Sequence, residues 1–154
     1  KPEYATCASG MRQSPIDIRD AIRVDQPAID FAWRPSQFRI VDNGQTLQVA
    51  VGGSSLSLLG KSYELIQFHF HRPAEERING RGFDMVAHFV HKSDDGRLAV
   101  VAVLIEKGME SPFIETLWSY MPLEKKEEVA PPNVVIDPAS FRLPTVRTTP
   151  TWGR

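Results

Sequence analysis

Hydrophobic and polar residues alternate with a period of two through much of the chain between Phe38 and His91. Phe38–Val41, Thr46–Val51 and Ser55–Leu59 switch polarity from one residue to the next, and Asn43-Gly44 and Gly52-Gly53 break them apart. Strict alternation sends successive side chains to opposite faces of an extended segment, and Asn and Gly accept the positive φ of tight turns. The pattern therefore predicts a meander of antiparallel strands. Tyr63–His71 and Asp84–His91 continue it with aromatic and branched residues, and Asn79-Gly80 between them is a strong hairpin signal. Leu98–Ile105 is a continuous apolar run, which predicts a strand buried on both faces, entered through the turn Asp94-Asp95-Gly96. Short strands are expected at Ala28–Phe31 and Val134–Ile136. Gln13–Ile18 reads as a loop or edge, because Pro15 cannot donate to a ladder.

One helix is predicted. Ser111 can cap it, Pro112 fits its first turn and Pro122 stops it. Phe113, Leu117, Trp118 and Met121 give it an apolar stripe for core packing. Lys125–Glu128 reads as a solvated charged patch. Without a repeat, low-complexity tract or linker, residues 1–154 form a single domain, mainly β.

Composition narrows the partners. Hydrophobic residues make up 42% of the 154, enough for one core, and the net charge of −1 gives no reason to expect nucleic acid or an anionic membrane surface. No apolar run approaches a membrane span. The chain starts at Lys1-Pro2-Glu3 without Met, which suggests a processed or trimmed N-terminus.

The four histidines, His69, His71, His88 and His91, all fall between Gln67 and Lys92. His69 and His71 share one strand face. If the Asn79-Gly80 hairpin is regular, paired residue numbers sum to 159: His71 lies opposite His88, His69 is its diagonal neighbour, and His91 pairs with Phe68 and points away. Three imidazoles then converge on one sheet face. Three neutral nitrogens on a rigid sheet suit Zn2+ with an open fourth position, the arrangement that lowers the pKa of a bound water to about 7.

The run Gln67-Phe-His-Phe-His71, then Pro73-Ala-Glu75 and Ala87-His-Phe-Val-His91, resembles the zinc-binding core of the α-class carbonic anhydrases, particularly the bacterial type. Gln13-Ser-Pro-Ile-Asp-Ile18, Val41-Asp-Asn-Gly44 and Gly96-Arg-Leu-Ala-Val-Val101 extend the likeness to about residues 2–144. The resemblance implies a central, mostly antiparallel twisted sheet with few short helices. It implies zinc on His69, His71 and His88, and reversible hydration of CO2 to bicarbonate and a proton. It further implies that Glu75 orients a threonine hydroxyl near the metal, that Val90 and Val100 line a CO2 pocket, that Gln67 supports a ligand, and that Asn43 and Gln48 order water. A periplasmic or secreted location follows from the same likeness.

Departures from the family pattern point to weakened activity. Gln45 stands where a proton-shuttling histidine is usual, and it does not titrate. Val86 replaces a glutamate that commonly accepts a hydrogen bond from the third ligand. Glu76 stands where histidine is usual and reads as a surface charge. The cysteine that would bridge Cys7 is absent, so Cys7 is a free thiol or available for an intermolecular bridge. The family's Y-Y-T-Y-x-G-S-L-T-T-P-P segment, with its threonine, does not follow Leu143-Pro144. Codons for Y-Y-T-Y-M-G read one base late give T-T-P-T-W-G, the sequence of residues 148–153, so a frameshift with early termination is expected. A sheet lacking C-terminal strands exposes edges, and a homodimer through them or through Cys7 is expected.

Two other functions fit parts of the sequence. One is a carbonic anhydrase relative that keeps the fold and metal for a binding or structural role. The other, more remote, is a cupin-type metal protein with Glu75 as a ligand, in which Tyr63 stands where that motif wants glycine and the second motif is missing.

Overall fold

The computed structural model describes residues 9–25, 27–108 and 110–141. Their strands are β1 (Asp17–Ile18), β2 (Asp30–Ala32), β3 (Arg39–Asp42), β4 (Leu47–Ala50), β5 (Ser55–Leu58), β6 (Lys61–His71), β7 (Arg77–Ile78), β8 (Met85–Lys92), β9 (Leu98–Ile105) and β10 (Glu128–Val129). Helix α1 spans Pro112–Ser119, and a 3-10 turn spans Pro138–Phe141.

The 11-residue β6 organises the main sheet. On one side its first half pairs with β5 and its second half with β4, both antiparallel; on the other it pairs with β8, which pairs with β9. The sheet thus branches at β6, one arm running through β4 to β3 and β10, the other through β5 to β2. A β-bulge between Leu65 and Gln67 marks the change of partner. The extra residue, Ile66, inverts the alternation. Leu65 therefore faces the same way as Phe68, and both are wholly buried.

That face carries the core. Phe68 stacks against Phe89, with ring centroids 5.0 Å apart, and lies 5.6 Å from Phe113 of α1. Leu117 and Phe141 complete the layer over the sheet. Pro112 begins the helix as its sequence predicts, although the Ser111 side chain makes no capping hydrogen bond. Phe113 and Leu117 are buried, whereas Trp118 and Met121 are more than two-fifths exposed, so the core-facing stripe is narrower than expected.

Several expectations need correction. β9 is not buried on both faces: Leu98 is 62% and Val100 50% exposed, because among the described residues only β8 lies beside it and nothing covers its even-numbered face. Val134–Ile136 forms no strand; Ile136 makes a single bridge to Ser36, and the last strand, β10, lies earlier and pairs with β3. Asn79 and Gly80 do adopt positive φ, 49° and 78°, but their turn closes the bridge Ile78–Arg81 within the β6–β8 connection. It does not set the register of the long strands.

The same turn anchors that connection. The Gly80 N–H donates to Asp17 Oδ1 at 2.9 Å, and the carbonyls of Ile16 and Ile18 accept from Arg77 and Asn79. The Gln13–Ile18 motif thereby braces the loop from below as the parallel pair β1–β7. Gly80→Ala places a Cβ at positive φ, 3.0 Å from the Arg19 guanidinium. It is expected to cost about 1–2 kcal/mol in denaturant unfolding, mainly from backbone strain.

Candidate metal centre

Opposite the core, β6 and β8 present their polar face. The β6–β8 register pairs His69 with His88 and His71 with Val86. Paired numbers sum to 157 rather than 159, so His69, not His71, lies directly across from His88. His91 pairs with Leu65 rather than Phe68. A shift of two residues preserves the face each side chain points to, and the three imidazoles still meet. Their ring centroids lie 5.0–5.4 Å apart. Each offers one ring nitrogen, all within 4.8 Å of one another.

Hydrogen bonds select which nitrogen is free. His69 Nδ1 is 2.9 Å from Gln67 Oε1. A carboxamide oxygen only accepts, so Nδ1 carries the proton and Nε2 keeps its lone pair. His88 Nε2 donates to Glu76 Oε1 at 2.5 Å, which leaves Nδ1 free. Burial, reinforced by the neighbouring His71 and His88, lowers the His69 pKa to about 4, so this ring is neutral at physiological pH. Neutral imidazoles with one nitrogen pinned and the other converging are what a metal ion needs. Tetrahedral ligand nitrogens 2.0–2.1 Å from a metal sit about 3.4 Å apart, within reach by small ring rotations. The residues fit a divalent ion held by three histidines.

His91, the fourth histidine, lies in the core face. Trp33 Nε1 donates to its Nε2 at 3.1 Å, and its Nδ1 donates to the Phe89 carbonyl at 3.0 Å. It is fully buried, satisfied and apart from the metal centre.

A family model for eukaryotic-type carbonic anhydrases matches residues 1–142. The chain belongs to this family, the α-class carbonic anhydrases. It is 37% identical over 137 residues to a carbonic anhydrase of Pectobacterium carotovorum, covering 87% of this chain and 56% of that one. It is 40% identical over 123 residues to a carbonic anhydrase of Neisseria gonorrhoeae, covering 79% of this chain and 49% of the relative. The α-carbonic anhydrase of Photobacterium profundum superposes with a TM-score of 0.85 at 36% identity, covering 95% of this chain and 67% of that structure. The chain spans about half the length of the curated relatives it matches.

Within this α-carbonic anhydrase sheet the other expected site residues fall as follows. Gln48 pairs directly with His69, and Val90 pairs with Val100 one step beyond His88 and Ala102, all on the histidine face. Gln45 shares a cleft of about 370 Å³ with His71, Pro73 and Glu75. Asn43 has a turn-forming part: its Oδ1 accepts from the backbone of Gln45 and Thr46. Glu75 Oε2 lies 3.5 Å from His71 Nε2 and 3.8 Å from His88 Nδ1, closer to the histidine cluster than a distant orienting role requires. Cys7 and residues 142–154, with the reading-frame argument, lie outside the described residues.

Glu76 is the residue that sequence reasoning missed. Its side chain is 14% exposed, not a solvated surface charge. Burial works to raise its pKa, but the hydrogen bond and charge of His88 outweigh this, and the net shift is downward. Glu76 sits in an irregular loop, where no periodicity marks the inward-facing positions.

Proposed function

We propose that the chain is a zinc-dependent carbonic anhydrase domain that interconverts CO2 and water with bicarbonate and a proton. The observation that carries the reading is the convergence of His69, His71 and His88, each offering one ring nitrogen, on the open face of an α-carbonic anhydrase sheet. Bound Zn2+ supplies the Lewis acidity that makes a coordinated water acidic near pH 7. Gln67 fixes His69. Val90 and Val100 give CO2 an apolar wall, and Gln48 holds water beside it.

Gln45 cannot relay protons, so turnover depends on buffer. Gln45→His is expected to make the hydration rate less dependent on buffer concentration, measured by stopped flow at fixed ionic strength. The location is periplasmic or secreted, as for bacterial members of the family. The edge of β9 that no described residue pairs and the exposed Leu98 and Val100 favour pairing with a second copy, and light scattering at micromolar concentration is expected to give a dimer mass.

A second reading is favoured by Glu75. Its Oε2 stands at nearly ligand-to-ligand spacing from two histidine nitrogens, so it can close the fourth metal position and leave a zinc-holding, catalytically impaired relative. CO2 hydration on protein of known zinc content separates the two. Rate proportional to zinc supports the enzyme. Stoichiometric zinc with no hydration, relieved by Glu75→Gln, supports the impaired relative.

A further inference from the structure

The β6–β8 connection brings a second acidic side chain, Glu76, against the outer nitrogen of His88. The contact is short, 2.5 Å, and both partners are withdrawn from solvent, His88 at 9% and Glu76 at 14% side-chain exposure. The carboxylate's other oxygen, Oε2, is buried and has no hydrogen-bond partner among the described residues. A half-satisfied buried carboxylate is costly to the fold. A contribution to folding stability does not account for it, whereas a role toward His88 does.

We infer that Glu76 is the positioning residue of the third histidine, reaching it from the loop in place of a carboxylate on β8. The strand position that could do the same work, Val86, is two residues before His88 on the same face and is wholly buried, but apolar. Glu76 holds the proton on Nε2 and turns Nδ1 toward His69 and His71. The β1–β7 pair and the Asp17–Gly80 hydrogen bond fix the loop that carries it. This gives the Gln13–Ile18 motif a function at a distance: it sets the height of the loop and so the reach of the carboxylate. The inference rests on the metal-centre reading of the three histidines.

The test uses the full chain and two independent readouts. In the metal-free protein, nitrogen-detected NMR reports the His88 tautomer. The expected result is an Nε2-protonated ring in wild type and a mixture of tautomers in Glu76→Ala. Zinc affinity, measured by competition with a chromophoric chelator, is expected to fall about 10–100-fold in Glu76→Ala. It should be largely retained in Glu76→Gln, whose oxygen still accepts from Nε2. Adding Val86→Glu to Glu76→Ala is expected to restore both the tautomer and the affinity, while thermal unfolding of the metal-free variants shifts far less than the affinity does. An unchanged His88 tautomer in Glu76→Ala overturns the inference whatever the metal does. So does unchanged zinc affinity, or a loss of affinity that only tracks a loss of fold. Failure of the metal-centre reading looks different: wild type and His88→Ala then bind zinc equally weakly, while the tautomer experiment still decides the role of Glu76.

Discussion

His88→Ala is expected to abolish stoichiometric zinc binding and, with it, CO2 hydration. Structural zinc sites with four ligands bind with about 10–16 kcal/mol, or roughly 2.5–4 kcal/mol per ligand on an even division. Removing one ligand from a set of three therefore weakens affinity by about two to three powers of ten. The loss is concentrated at His88 for a geometric reason. His88 stands on the central strand of the β6–β8–β9 arm, directly opposite His69. No neighbouring side chain on β8 can substitute, since Val86 and Val90 flank it on the same face. The fold should survive, because the aromatic core lies on the opposite face. The decisive measurement is stopped-flow hydration together with metal content for wild type and variant. Zinc-dependent activity that disappears in the variant supports the enzyme. Equal activity in both would rule out the triad as its source.

The three-histidine face was legible in the sequence because it depends on parity alone. His69 and His71 are two apart, and any even change in the β6–β8 pairing keeps His88 with them. The observed pairing differs by two residues from the expected one, since Asn79-Gly80 is not the tip of the long hairpin but closes a smaller turn braced by β1. The bulge at Ile66 left no mark in the alternation that could be told from a neutral irregularity, yet it decides that Leu65, rather than Ile66, joins the core beside His91. The exposed face of β9 was illegible for another reason. An apolar run reports what a strand can bury and says nothing of whether another element covers it. Glu76 shows the limit most plainly. It lies in a loop between two strands, next to an acidic neighbour, and only the path of the chain distinguishes the carboxylate that turns inward from the one beside it.

Acid is expected to destabilise the fold through His91, independently of the metal. Burial holds its pKa at about 4, below the ordinary 6.5, against hydrogen bonds to the Phe89 and Ala99 carbonyls that work in the opposite direction. Its surroundings are apolar and aromatic: Trp33 stacks on it at 5.8 Å and donates to Nε2, so protonation there forfeits that bond and strands a charge in the core. Because the folded pKa lies below the unfolded one, the unfolded chain binds more protons between pH 6.5 and 4, and stability rises with pH across that window. The contribution is complete above pH 6.5 and is lost as pH falls to about 4. At 1.36 kcal/mol per pH unit, the span from 6.5 to about 4 amounts to about 3 kcal/mol. His69 titrates in the same direction in metal-free protein, so wild-type acid sensitivity alone does not isolate His91. The difference between wild type and His91→Gln does. Denaturant unfolding of both in the presence of a chelator, from pH 7.5 to 4, should show the variant less stable at neutral pH and the gap narrowing by about 3 kcal/mol at acid pH. A gap that stays constant would mean that His91 is not held neutral by its burial.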